Sequence, residues 1–231
     1  MKKLLILIIV FLFSCSNIEK SINFSESSGI CYMKNQDVFY VVSDEWEIQK
    51  INSSLKKLEY FKFEENYDFE AIVCDENNNN LLAVDEKSWN IYKIEMIRDG
   101  FSPLKITKKY KINWYKLNKK WIEWFAKISQ NKYIISTQEK KNNLLVLEFK
   151  DEKFKIIKKI DFPYKDLSGL EYFNKKLYII SDKNNKIFIY DLEKEKTINI
   201  IQLQDGAWEW ISFDKNWNML LADDDGRIVK I

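Results

Sequence analysis

The sequence predicts an all-β fold: a five-bladed β-propeller of four-stranded blades, the last blade closed by the N-terminal strand. Three observations predict it. One unit recurs five times, each copy reads as short strands between polar turns, and the fifth copy stops one strand short while a spare strand precedes the first. Each unit begins with a polar residue, then a small or aromatic one, then an apolar one. The five beginnings are Ser28-Gly29-Ile30, Glu70-Ala71-Ile72, Glu123-Trp124-Phe125, Ser168-Gly169-Leu170 and Glu209-Trp210-Ile211. Taking Gly29, Ala71, Trp124, Gly169 and Trp210 as equivalents, the spacings are 42, 53, 45 and 41 residues. That is the period of a propeller blade; the repeats of a solenoid, the competing architecture, usually run shorter and need caps at both ends.

In chain order, the first element is a targeting segment, not part of the fold. Lys2 and Lys3 precede an apolar run from Leu4 to Phe13, followed by Ser14 and Cys15. The run is too short for a stable bilayer-spanning helix, which needs about 20 apolar residues. Leu12-Phe13-Ser14-Cys15 resembles the bacterial lipobox, in which the Cys is acylated and becomes the mature N-terminus, although the Phe13 slot usually takes a smaller residue. The alternative is an ordinary secretory signal with an incidental Cys. On the lipobox reading, residues 1–14 are a lipoprotein signal peptide and residues 15–25 the lipidated N-terminus and closing strand. Residues 26–231 are the propeller, held outside the cytoplasm at a membrane of the bacterial envelope. Two or three acyl chains anchor firmly where one is marginal.

The closing strand is expected around Ile18–Phe24, because the fifth repeat ends at Arg227-Ile228-Val229-Lys230-Ile231, its third strand. A ring closed in this way has no open sheet edge. Within each blade a second apolar strand ends in acid or amide, as in Val42-Ser43-Asp44, Val84-Asp85-Glu86, Thr137-Gln138-Glu139, Ser181-Asp182 and Ala222-Asp223-Asp224. Blade two shows the full set, with strands predicted near Ala71–Asp75, Asn80–Asp85, Asn90–Ile97 and Leu104–Ile112, rich in Ile, Leu, Tyr and Phe. With only five Gly and two Pro in the chain, Asn is expected to take the left-handed turn positions, as at Asn77–Asn80, Asn142-Asn143 and Asn184-Asn185. The longest interval carries a loop, Asn113–Trp121, whose Trp114 and Trp121 either pack on neighbouring blades or stack a ligand.

Composition narrows the chemistry. At 231 residues, 46% hydrophobic and without His, the chain is foldable and excludes every mechanism that needs imidazole. Of 37 Lys and Arg against 35 Asp and Glu, Lys2 and Lys3 fall in the signal, so the mature chain is balanced and carries no nucleic-acid footprint. It reads as a monomer. Once Cys15 is acylated, Cys31 and Cys74 remain. They sit at opposite parity in the first strands of neighbouring repeats, which predicts two buried thiols rather than a bridge.

The acids converge on one mouth of the channel, because in an antiparallel blade the start of strand one and the end of strand two lie side by side. Glu70, Glu123 and Glu209 share one slot, with Ser28 and Ser168 in the other two repeats. These five are the candidate metal ligands, and calcium is the expected ion, since flexible sets of oxygen ligands suit its coordination by six to eight oxygens. Asp44, Asp85, Glu139, Asp182 and Asp223 or Asp224 form an outer circle. Its bland reading is turn capping, with Lys87, Lys140 and Lys183 just beyond as counter-charges.

The segments Glu26-Ser27-Ser28-Gly29-Ile30, Asp68-Phe69-Glu70-Ala71-Ile72 and Asp166-Leu167-Ser168-Gly169-Leu170, with Val42-Ser43-Asp44-Glu45, Val84-Asp85-Glu86 and Ser181-Asp182, resemble the SdiA-regulated (YjiK-like) β-propeller proteins from about residue 24 to residue 231. The resemblance implies an exported or envelope propeller, distantly similar to phytase-like and esterase-like propellers and expected to hold calcium. Trp124 and Trp210 depart from it, standing where the family pattern favours Gly or Ala. Three functions are compatible with these residues: a non-catalytic propeller binding a divalent cation and a small ligand or partner, a metal-dependent phosphoesterase or esterase, and an envelope interaction protein using exposed Trp and Tyr. The second is handicapped by having only Arg98 and Arg227 as arginines.

Overall fold

The computed structural model describes residues 21–88, 90–96, 104–112, 122–137, 143–164, 166–223 and 225–231, and of Glu123 the backbone alone. The targeting segment with Cys15, the Asn113–Trp121 loop, Glu139, Lys140, Asn142 and Asp224 lie outside those residues. Five antiparallel four-stranded sheets form the blades.

Blade one holds β2 (Ser27–Met33), β3 (Val38–Ser43), β4 (Glu47–Asn52) and β5 (Lys57–Lys62). Blade two holds β6 (Phe69–Asp75), β7 (Asn80–Asp85), β8 (Asn90–Met96) and β9 (Leu104–Lys111). Blade three holds β10 (Ile122–Lys127), β11 (Lys132–Thr137), β12 (Asn143–Lys150) and β13 (Lys153–Asp161), and blade four holds β14 (Leu167–Phe173), β15 (Lys176–Ser181), β16 (Lys186–Asp191) and β17 (Lys196–Gln202). Blade five joins β18 (Trp208–Phe213), β19 (Met219–Asp223) and β20 (Arg227–Lys230) to β1 (Ser21–Asn23) from the other end of the chain. The blade-two strands fall within two residues of their sequence-predicted bounds.

Ring closure is as the sequence predicts. β1 pairs antiparallel with β20, Ser21 opposite Val229 and Asn23 opposite Arg227. Phe24 then donates its N–H to the Gly226 carbonyl at 2.7 Å and buries its ring. Gly226 has φ +78°, and a Cβ there would lie 2.2 Å from the Phe24 carbonyl oxygen, so only glycine fits the turn that receives the closing strand. Ser27 Oγ adds a bond to the Asp223 carbonyl across the same seam.

Inner strands β2, β6, β10, β14 and β18 each neighbour the next around the axis, and the blades pack face to face on buried aliphatic and aromatic side chains. They approach closely. A Cβ on Gly29 would meet Val42 Cγ2 at 2.8 Å and the Ile72 nitrogen at 3.1 Å, and one on Gly169 would sit 2.6 Å from the Glu209 carbonyl oxygen. At the equivalent positions Trp124 and Trp210 are buried, so the ring accepts glycine in two blades and indole in two others.

The expectation of two free thiols is wrong: Cys31 and Cys74 form a disulfide, with Cα atoms 5.5 Å apart. Opposite parity does send two side chains to opposite faces when the strands share a sheet. Here the strands belong to separate sheets stacked face to face, so opposite faces are the ones that meet. Gly29 and Cys31, two apart on β2, face blade two; Ile72 and Cys74, two apart on β6, face blade one.

The turns use asparagine less exclusively than expected. Asn79, Asn174 and Asn185 adopt positive φ, but so do Glu26, Asp37, Trp46, Leu55, Asp151, Glu152, Asp166, Lys175, Glu195 and Trp217.

Candidate metal centre at the acidic mouth

All five inner strands carry a bulge at the same place. In β6, Phe69 pairs with Asp85 and Ala71 with Val84, so Glu70 is the extra residue. The register shifts likewise at Ser28, Glu123, Ser168 and Glu209. These are the five slot residues of the sequence repeat. A bulge removes its extra residue from the ladder and re-aims its side chain, which explains why polar residues stand at that one position of otherwise apolar strands.

Three carboxylates converge there. Asp44, Asp68 and Glu70 each offer an oxygen within 4.8 Å of the others, all three half-buried. Backbone bonds fix the two acid-bearing turns: Asp44 donates its N–H to the Glu26 carbonyl at 3.3 Å, and Glu86 donates its own to the Asp68 carbonyl at 2.9 Å. Ser28 Oγ lies against Asp44 Oδ1 and within 3.0 Å of the Glu26 carbonyl. Lys87 reaches Asp68 Oδ2 at 3.2 Å, and is itself largely exposed.

Burial, reinforced by the negative charges of Asp44, Glu86, Asp68 and Glu209, pushes the Glu70 carboxyl up to about 9. Glu86 is also raised, first by burial and then by Asp68, while a hydrogen bond with Glu70 opposes the rise. At neutral pH the mouth without a cation thus keeps a proton on Glu70, shared toward Glu86. Like charges so placed either hold protons or hold a cation. The donor set is all oxygen, with carboxylates and a hydroxyl, and it fits a hard divalent ion, calcium before magnesium.

The other expected ligands are distributed differently. Glu209 acts on Glu70 through its charge. Ser168 Oγ donates to the Trp208 carbonyl at 2.6 Å, tying blade four to blade five. The Glu123 side chain lies outside the described residues. Sequence reasoning missed Asp68 as a member of the cluster and placed Asp44 among the turn caps. The signal was present in Asp68-Phe69-Glu70, where the acids flank the position at which the strand bulges. Two of the other outer acids do serve turns: Asp85 Oδ1 accepts the Ser88 N–H at 3.0 Å, and buried Asp223 holds Arg227 through its backbone and guanidinium.

Fold and site together define a closed five-bladed propeller with a carboxylate cluster at one end of its channel. The chain belongs to the SdiA-regulated family, whose model matches residues 16–216. No curated protein matches it in sequence. Among solved structures it is similar to the glutaminyl cyclase of Myxococcus xanthus, with a TM-score of 0.70 at 10% identity over 91% of this chain and 93% of that one. It is also similar to the β-propeller domain of Cps50 (Swd1) from Myceliophteria thermophila, with a TM-score of 0.51 at 9% identity over 90% of this chain and 65% of that one. Both likenesses concern the fold.

Proposed function

We propose that this protein is an exported, lipid-anchored propeller that binds a divalent cation at its acidic mouth and presents that mouth to a small ligand or envelope partner. The observation that carries the proposal is the convergence of Asp44, Asp68 and Glu70. Glu70 protonates in the absence of an ion because it is buried and, beyond that, has the negative charges of Asp44, Glu86, Asp68 and Glu209 around it; a divalent cation supplies the missing positive charge. Ser28, and Glu123 and Glu209 from the same slot of other blades, would complete or orient the ligand set, with Ser168 as the fifth position. The Cys31–Cys74 bridge supports export, since disulfides persist in oxidising compartments.

Calcium titration of chelator-treated protein tests this. At 100 times its dissociation constant the ion stabilises the fold by about 2.7 kcal/mol, which raises the melting midpoint of a domain this size by roughly 5 to 10 °C. Asp44→Asn with Glu70→Gln should abolish the shift. Equal melting with and without calcium through the millimolar range would overturn the reading.

A second reading rests on Glu70 itself. A carboxyl that stays protonated at neutral pH beside ionised acids has the form of a general acid, and one structural neighbour is a glutaminyl cyclase. Under that reading Glu70→Gln loses catalysis while leaving the calcium response in place. A metal-dependent phosphoesterase is less supported, because the chain has only Arg98 and Arg227 as arginines with which to hold a phosphate.

A further inference from the structure

The end of the channel opposite the acidic cluster opens into a cavity of about 570 Å³, the size of a small-molecule site. All five blades contribute to it where their inner strands end, among them Tyr32 of blade one, Cys74 of blade two and Lys127 of blade three. Blade four supplies Glu171 and Phe173, and blade five Phe213 and Trp217.

Most of its charged groups are already satisfied. Lys127 pairs with Asp75 at 2.6 Å and Lys215 with Asp37 at 2.7 Å. Asp214 accepts bonds from the Asn216 and Asn218 backbones, from Asn218 Nδ2 at 2.6 Å and from Lys230. Glu76 accepts the Lys34 N–H at 2.9 Å. Glu171 is different: among the described residues it has neither a hydrogen bond nor an ion pair, and burial alone pushes its carboxyl up to about 8.

We propose that this cavity binds a small organic ammonium compound, with Glu171 as its counter-ion and the aromatic rings of Tyr32, Phe173, Phe213 and Trp217 as its walls. The donor set decides between an organic and a metal cation. Three converging acids occur among the described residues only at the other mouth, whereas here Glu76 and Asp214 already accept hydrogen bonds and Glu171 is the lining carboxylate without one among the described residues. One carboxylate neutralises one ammonium but leaves a divalent ion short of oxygens, and aromatic faces attract ammonium groups. The rings are held in place: Phe173 stacks on Phe213 with centroids 4.5 Å apart and meets Trp217 edge-on at 5.0 Å. Trp217 leaves 60% of its surface to solvent at the cavity rim, a large ring standing uncovered where a ligand would enter.

Titration calorimetry with benzylamine and choline, against the neutral benzyl alcohol, tests the site on the full chain at pH 7.5. Both cations should bind and the alcohol should not. Glu171→Gln, a neutral isostere, should weaken cation binding at least tenfold without lowering the melting midpoint, Trp217→Ala should weaken it severalfold, and Glu70→Gln at the far mouth should leave it unchanged. The proposal is overturned if neither cation binds, if benzyl alcohol binds as well as benzylamine, or if Glu171→Gln binds both as tightly as the parent. It is equally overturned if Glu171→Gln abolishes calcium binding instead.

Discussion

Cys31 and Cys74 are bridged because β2 and β6 turn facing sides, not matching sides, toward each other across the first blade interface. The bridge closes a chain segment of 43 residues, and loop closure of that length is worth about 4 kcal/mol in the chain-entropy model. Reduction, or Cys31→Ser with Cys74→Ser, should therefore lower the urea midpoint substantially, while the reduced parent and the double variant melt alike. If reduction changes nothing, the two thiols are not bridged in solution.

Ring closure makes its own demand. Replacing Gly226 by Ala forces a side chain into a left-handed turn and against the Phe24 carbonyl; the backbone preference alone costs about 1 to 2 kcal/mol, and the overlap adds to it. Phe24→Ala empties a buried site at about 3 to 5 kcal/mol. Both should lower thermal stability and expose the blade-five edge, visible as concentration-dependent association; a monomer of parental stability would show that β1 is dispensable.

Stability should fall as pH rises through the neutral range. A carboxyl whose folded pKa lies above its unfolded value holds its proton more tightly in the native state, so its stabilisation is complete below about 4.5. It is lost as pH climbs toward about 9 for Glu70 and about 8 for Glu171. Urea midpoints of the chelator-treated protein should drop between pH 5 and pH 8.5, and Glu70→Gln and Glu171→Gln should each flatten part of the slope, by a few kcal/mol at most. Parent and double variant sharing one slope would remove both groups from the account.

If Cys15 is acylated as proposed, the mature protein partitions with membranes and Cys15→Ser releases it or blocks processing. A variant that fractionates as the parent does would refute the anchor.

The architecture was legible because five copies of one pattern leave little freedom: the period, the strand count per unit and the missing last strand each point to the same ring. The acidic mouth was legible as a region, through the recurring slot at Ser28, Glu70, Glu123, Ser168 and Glu209. Its membership was not. Asp68 lies just outside the strand and looks like any polar turn residue, and Asp44 sits one residue beyond the strand end at which Asp85 and Asp223 cap turns in other blades. Which acids meet depends on how neighbouring blades stack, and that inter-sheet geometry also defeated the parity argument for Cys31 and Cys74. Glu171 carried no repeat signal at all, since its distinction is the lack of a partner in three dimensions.

The bulge in every inner strand has a consequence for how such a mouth can change. Ser28, Glu70, Glu123, Ser168 and Glu209 stand outside the strand register, so none of them is matched to a ladder position across its sheet. Their neighbours on the same strands are bound on both sides by ladder and core. The ring therefore separates what must stay fixed from what can vary within two consecutive residues, and apart from Ser168, whose hydroxyl ties blade four to blade five, new side chains at these points would give the channel a different chemistry without asking any blade to refold.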